Sequence, residues 1–246
     1  MCIRDRSGLY ESGLAAEPAG AGTPCIRLEQ RTIVTQALEL IPDAIVQDPA
    51  ANLVAQYCDV PPGTKVADLC SAPGGKILAI SDQPAFSIAS DLSESRMLMV
   101  KENAKRTGRQ LALVVADARH PPVLHSDVVL LDAPCTGTGT LSRRPDARWR
   151  LASEKINELA ALQSELLASA ATLVTEGGIL VYSTCTLEQE ENEGVVDAFL
   201  ATHTDFHIQA TRAVPEQYLD SAGRLVVTPQ ATGFDGAFAV RMRRAA

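Results

Sequence analysis

At 246 residues, 46% hydrophobic and 21% charged, the chain is long enough to bury one good core and at most a small appendage. No apolar run approaches the ~18 residues of a membrane span, and the first 25 residues lack the unbroken apolar stretch of a signal peptide, so neither insertion nor secretion is indicated and a cytoplasmic monomer is expected. The net charge of −8 argues against nucleic-acid binding over the whole surface, because gripping phosphates calls for a surplus of Lys and Arg; any such contact must be local.

Residues 1–25, rich in Gly, Ala and Pro without period, read as a disordered or non-native leader. A helix is expected over 48–57 (DPAANLVAQY), with an Asp cap and a Pro in the first turn. Past the turn Pro61-Pro62-Gly63, the pattern predicts strands at 65–69, 86–90, 111–115, 127–131 and 178–182. Helices are predicted at 75–81, 93–107, 153–174 and 188–202. Such alternation implies an α/β fold built on a doubly wound, mostly parallel sheet. The tail at 234–241 (FDGAFAVR) has turn residues followed by apolar alternation, which predicts a last, antiparallel strand in a hairpin.

The segment that follows the first long strand, Cys70-Ser71-Ala72-Pro73-Gly74-Gly75-Lys76, opens a helix and has the small residues that let a backbone approach a ligand closely. It is neither GxGxxG nor GxxxxGK[ST], so a dinucleotide or a triphosphate is not its natural ligand. Asp91 ends the second strand, where a carboxylate can accept from ribose hydroxyls; Asp117 ends the third, in reach of an adenine amino group; Asp132 ends the fourth. One such Asp is as readily a cap or turn former, but three at successive strand ends suit an adenosine-containing cofactor without phosphates, namely S-adenosylmethionine.

Two cysteines lie in unlike motifs: Cys135 in LLDAPCTGTGTLSRRPDARWR and Cys185 in GGILVYSTCTLEQEENE. Each follows a short apolar run and is expected at the carboxyl end of a buried strand, where open α/β sheets bind ligands. Taken singly, a Cys after a buried strand is usually a small hydrophobe, the reading given to Cys58 and to Cys70 outside its loop. The six cysteines, which also include Cys2 and Cys25, hold no CxxC pair, and the four histidines have no ligand spacing. Neither a metal nor a disulfide framework is expected, and a reducing compartment suits thiols that must stay reactive.

With these motifs assembled, the chain closely resembles the RsmB/NOP2/Sun family of S-adenosylmethionine-dependent RNA cytosine-5 methyltransferases over about residues 46–244. The resemblance rests on VQDPAANLVA, DLCSAPGGK, SDLSESR, ADAR, the LLDAPCTGTGT segment with its RRPDARWR extension, VYSTCTLEQEENE and DGAFAVRMR. It implies a Rossmann-like class I methyltransferase with an RNA substrate, ribosomal of the 16S type or else transfer RNA. Residues 61–246 would form the catalytic domain, and 26–60 a helical remnant of a longer RNA-binding extension. Cys70 to Lys76 would hold the methionine side of the cofactor, Asp91 the ribose and Asp117 the adenine. Asp132 would lie between methyl donor and target base, Cys185 would be the nucleophile and Cys135 would help release the product. Departures from the family pattern are Ser71, Ile77 and Ala237, none of which removes a reacting group.

The chemistry explains why such residues are needed. Carbon 5 of cytosine is a poor nucleophile until a thiolate adds to carbon 6 and converts the ring to an enamine. The residues alone do not choose between Cys135 and Cys185, because a proline-cysteine motif holds the nucleophile in DNA cytosine-5 enzymes; the resemblance assigns Cys185. Charge pushed into the ring is stabilised by donation at nitrogen 3, for which Asp132 is the candidate if burial raises its pKa. The target base must leave its stack, so single-stranded or flipped RNA is implied. Arg143, Arg144, Arg148 and Arg150 with Trp149 make the densest basic cluster; it reads as a solvated face by itself and as a phosphate and stacking track within its motif. A non-catalytic RNA- or cofactor-binding fragment is the competing reading. An amino-group methyltransferase would want Asn/Asp-Pro-Pro-aromatic where this chain has Asp132-Ala133-Pro134-Cys135.

Overall fold

The computed structural model describes residues 16–20, 22–28, 34–121 and 125–246. The elements are β1 (Ala16–Pro18), β2 (Ile26–Leu28), α1 (Val34–Leu40), α2 (Pro49–Tyr57), β3 (Lys65–Asp68), α3 (Gly75–Ile80), β4 (Phe86–Asp91), α4 (Glu94–Arg106), β5 (Ala112–Val115) and β6 (Ser126–Asp132). They continue with α5 (Ser153–Ala171), β7 (Val174–Thr184), α6 (Glu193–Thr202), β8 (Phe206–Ile208), β9 (Leu225–Val227), α7 (Pro229–Thr232) and β10 (Ala237–Arg244). The main sheet runs β5-β4-β3-β6-β7-β10-β8, with β9 also paired to β10. The pairs from β5 through β7 are parallel, and those made by β10 are antiparallel. Strand order reverses between β3 and β6, so a crevice opens at their carboxyl ends.

Val128 to Leu131 on β6 are buried on both sides, which is why this stretch reads as an unbroken apolar run. Its alternate residues enter two cores. Val129 and Leu131 join Leu180, Tyr182 and Val240 beneath α5 and α6, while Val128 and Leu130 join Ile179 and Val181 beneath α3 and α4. The helix α2 begins as expected, with Asp48 accepting from the Ala50 N–H at 2.9 Å and Pro49 at the first position. It packs through Leu53, Val54 and Tyr57 on β9 and β10, so the segment expected as a lead-in shares a core with the sheet. Among the described residues, no helix is long and apolar enough to cross a membrane.

Three expectations need correction. First, β1, within the segment read as an unstructured leader, pairs antiparallel with β2 just beyond that segment. Buried Cys25 and Ile26 anchor it, and Gly20 and Gly22 fit closely against Phe234 and Pro215. Residues 1–15 and 21 of that leader lie outside the described residues. Second, Cys25 is disulfide-bonded, whereas Cys58, Cys70, Cys135 and Cys185 are free. Third, the tail strand pairs antiparallel with the strand just before it, as expected, but it is more than a hairpin arm. β10 lies inside the sheet, where its first half pairs with β9, its second half with β8, and its other edge with β7. The three-residue strands β8 and β9 are too short to show alternation, so they go unseen in the sequence.

Candidate active site

Parallel pairing of β6 with β7 sets Asp132 opposite Ser183, and the loops that follow carry Cys135 and Cys185 side by side. The two sulfurs are 3.5 Å apart, and the Cys185 N–H points at Cys135 Sγ at 3.4 Å. The Cys135 thiol donates to Cys185, which pulls the Cys185 pKa below the usual thiol value against the effect of burial; the charges of Lys76 and Arg144 help. The same hydrogen bond, reinforced by burial, pushes Cys135 well above that value. The two thiols titrate as a pair in which Cys185 is the more acidic member. Cys58 is pushed up to about 12 by complete burial, and Cys70 is raised by the same cause.

Beside the thiols, Asp132 accepts from Lys76 Nζ at 2.6 Å and from the Ser183 hydroxyl at 2.8 Å. Burial alone would lower the lysine's pKa, but the charge and hydrogen bond of Asp132 outweigh it and hold the ammonium above its usual value. Lys76 therefore points its charge at Asp132 and the thiols. The sequence placed Lys76 with the cofactor loop alone, and only the fold reveals this pairing.

The loop from Cys70 to Lys76 is fixed by its neighbours. Ser71 N–H donates to Ser90 at 2.8 Å, Gly74 N–H donates to the Ser71 carbonyl at 2.7 Å, and Ala72 N–H donates to Asp91 Oδ2 at 3.2 Å. The Ala72–Pro73 peptide is cis. Gly74 has φ of +99°, and a Cβ there would sit 3.2 Å from Val100 Cγ1, so a side chain is disfavoured by both backbone and space. Asp91 is buried and also accepts from the Ser93 N–H at 3.0 Å; Arg96 lies 3.5 Å away. Asp117 is more open and paired with Arg119 at 2.6 Å, whose hydrogen bonds hold its carboxyl down at about 2.

Beside Ser71, which the sequence placed in the loop, polar groups that it did not single out complete the site. Asp68, at the carboxyl end of β3, is 1% exposed, and among the described residues its carboxylate oxygens make no well-formed hydrogen bond, although the Ser71 hydroxyl and the Cys70 N–H lie near enough to offset part of the effect of burial. Burial, with the charge of Asp132, raises its pKa to about 7. Among the described residues the Ser71 hydroxyl, which faces Asp68, and both polar atoms of Gln47, whose Oε1 would lie 3.2 Å from a Cβ on Gly75, likewise make no well-formed hydrogen bond. Glu191 is fully buried behind the two cysteines. Its place in the run LEQEENE resembles a solvated helix start, which hides it from pattern reading.

Of the arginine cluster, Arg148 and Arg150 lie on the turn Pro145–Arg150 and Arg143 and Arg144 just before it, with the charge of Arg144 felt at Cys185. Arg143 is bound to Asp235, with Nε to Oδ1 at 3.0 Å, and so ties this turn to the approach to β10. Arg144 and Arg148 are exposed, Trp149 is 90% exposed, and the Arg150 side chain lies outside the described residues.

Residues 56–243 match a family model described as 16S rRNA methyltransferase RsmB/F. The chain is 39% identical over 198 residues to ribosomal RNA small subunit methyltransferase B of Thermus thermophilus, covering 80% of this chain and 49% of that protein. It is 34% identical over 248 residues to the protein of the same name from Photorhabdus laumondii, covering 96% and 55%. Among solved structures it is similar to NSun6 from Pyrococcus horikoshii with SFG, at TM-score 0.72 and 28% identity over 81% of this chain and 53% of that one. The chain spans about half the length of these curated relatives.

Proposed function

Because the chain belongs to the RsmB/NOP2/Sun methyltransferase family, we propose that it transfers a methyl group from S-adenosylmethionine to carbon 5 of a cytosine in RNA, of the 16S ribosomal type, through a covalent cysteine adduct. The observation that carries this reading is the 3.5 Å contact between Cys135 and Cys185 at the ends of adjacent parallel strands, beside the Lys76–Asp132 pair. A thiol that gives its proton to solvent readily because a neighbouring thiol donates a hydrogen bond to it is suited to nucleophilic addition to a pyrimidine.

The residues of the crevice fit the cofactor. An amino acid moiety offers an ammonium and a carboxylate. The Asp68 carboxylate suits the first, and the Ser71 hydroxyl and Gln47 amide suit the second. Asp91 retains lone pairs for ribose hydroxyls, and Asp117 would accept from adenine once Arg119 shifts. SFG, the S-adenosylmethionine analogue in the related structure, supports the same ligand class. When bound, S-adenosylmethionine supplies an electrophilic methyl group.

Cys185 attacks carbon 6, and the electron pair of the carbon 5–carbon 6 bond moves into the ring. The Lys76 ammonium, held by Asp132, is the donor for the charge that builds at the ring's polar edge, and Asp132 accepts from the exocyclic amine. In this arrangement Lys76 brings N–H donors to the site and Asp132 accepts from it. Carbon 5 takes up the methyl group as the donor's methyl–sulfur bond breaks and the sulfur keeps the electron pair. With Cys185 now a thioether, the neighbouring thiolate that raised the Cys135 pKa is gone, so Cys135 can lose its own proton to solvent and, as thiolate, remove the carbon 5 proton. The carbon 6–sulfur bond then breaks, the double bond returns and Cys185 leaves as thiolate. Arg144, Arg148 and Trp149 would guide phosphates and stack a base.

The test is incubation with radiolabelled S-adenosylmethionine and total bacterial RNA, using wild type, Cys185→Ala and Cys135→Ala, with denaturing non-reducing gels. Label in 5-methylcytidine with wild type, none with Cys185→Ala, and a trapped protein–RNA adduct with Cys135→Ala are expected. Activity that survives Cys185→Ala and vanishes in Cys135→Ala would reverse the two assignments. Cofactor binding without methylation by wild type would leave a binding role.

A further inference from the structure

We propose that Glu191 is the positioning residue of the dithiol: its buried carboxylate ties the Cys135 loop to the Cys185 loop and so sets the sulfur-to-sulfur contact, an inference that rests on the reaction proposed above.

The carboxylate is fully buried and takes hydrogen bonds from both sides. From the Cys135 loop it accepts the Thr136 N–H at 2.9 Å and, in a very short contact, the Thr136 hydroxyl. From the Cys185 loop it is approached by the Thr186 hydroxyl at 3.1 Å. Gln163 on α5 donates through Nε2 to both Glu191 and the Pro134 carbonyl, at 2.8 Å each, so the residues before and after Cys135 are held together. On the other side, Asn192 accepts from the Thr184 hydroxyl and donates to the Thr186 carbonyl at 3.1 Å, which brackets Cys185. The Tyr182 hydroxyl anchors the Glu191 backbone carbonyl at 2.6 Å. Each cysteine is thereby flanked by residues fastened to the same short turn, Gln189–Glu191 and the residue after it.

Charge-assisted hydrogen bonds are short and geometrically demanding, and a buried carboxylate that loses them leaves its donors stranded. Glu191 therefore has two rigid loops to hold in register. The largest charge effects on Cys185 come from Asp132, Lys76 and Arg144, beside the hydrogen bond of Cys135, while Glu191 touches the residues next to each cysteine. Its influence on the nucleophile runs through geometry, by keeping the Cys135 thiol within reach.

This gives a test that depends on sign. Neutralising a nearby carboxylate by charge alone would make a thiol more acidic, whereas losing the donated hydrogen bond makes it less acidic. The pH dependence of Cys185 alkylation by iodoacetamide, followed by peptide-resolved mass spectrometry, should move upward by about one pH unit in Glu191→Gln. Turnover at saturating RNA should fall on the order of tenfold, with KM for S-adenosylmethionine within about twofold of wild type. Glu191→Asp should recover part of both. Thr136→Val removes one tie without burying a mismatched amide and should shift the profile in the same direction by less; it serves if Glu191→Gln does not fold. An unchanged or downward profile, with wild-type turnover in a folded variant, would overturn the proposal even if the melting temperature dropped. Alkylation is read without RNA or cofactor. A wild type that methylates no RNA therefore refutes the reaction, while the thiol profile still judges the clamp.

Discussion

The two sides of the crevice are built on different plans. Behind Cys135 and Cys185, Glu191 meets donors from both loops and from α5, and the loops interlock until Gly139 and Gly236 backbones touch; Gly236 N–H donates to the Gly139 carbonyl at 2.8 Å. Around the loop from Cys70 to Lys76, Asp68, Ser71 and Gln47 have buried polar atoms that make no well-formed hydrogen bond among the described residues. A buried polar atom left alone costs free energy, so such a cluster is tolerated where a ligand can supply the missing bonds. On the function proposed above, the reacting groups are held in advance and the binding groups keep their hydrogen-bonding capacity for the ligand.

The largest effect should come from cutting the reacting side alone. Cys185→Ala should lower turnover by about 10³-fold or more, while calorimetry finds cofactor affinity unchanged. If affinity falls with it, the two sides are not separable. Gly139→Ala attacks the same side through packing. Its Cβ would meet the Cys185 carbonyl oxygen and Gly236 Cα at 2.7 Å, backbone in both cases, so a loss of about 2–3 kcal/mol is expected in denaturant unfolding, with impaired turnover.

Asp68→Asn tests the other side. A carboxyl whose pKa is raised on folding binds its proton more tightly in the native state. Its stabilising contribution is full below about pH 4 and is lost as pH rises through about 7. Wild type should therefore lose on the order of 2–3 kcal/mol through this group between pH 5 and pH 8, and the Asn variant should not. Cofactor affinity should fall by about tenfold, with the Cys185 alkylation profile little altered. A shifted thiol profile would show that the sides are coupled. The smallest structural effect belongs to Trp149→Ala: stability within about 0.5 kcal/mol of wild type, and RNA affinity, by filter binding, lower by about tenfold.

Much of this molecule was legible from residue order. The parallel strands and their helices follow from apolar runs and caps, as with Asp48 before Pro49 and the Val128 to Leu131 run. The motifs around Cys135 and Cys185 marked both thiols, and the loop through Gly74 and Gly75 marked the cofactor side. These are local signals, carried by periodicity or by residues a few positions apart.

Only the tertiary structure decided the relations between distant segments. Fifty-six residues separate Lys76 from Asp132, yet they form one ion pair. Pairing of β6 with β7 converts two separate cysteines into one dithiol and gives them opposite pKa shifts. An acidic run that reads as solvated turns a single member, Glu191, inward, and β10 finds its place inside the sheet through partners too short to detect. The physical reason is common to all of these. Burial and hydrogen-bond satisfaction depend on what packs from elsewhere in the chain, and a local pattern records only which side of its own element a residue faces.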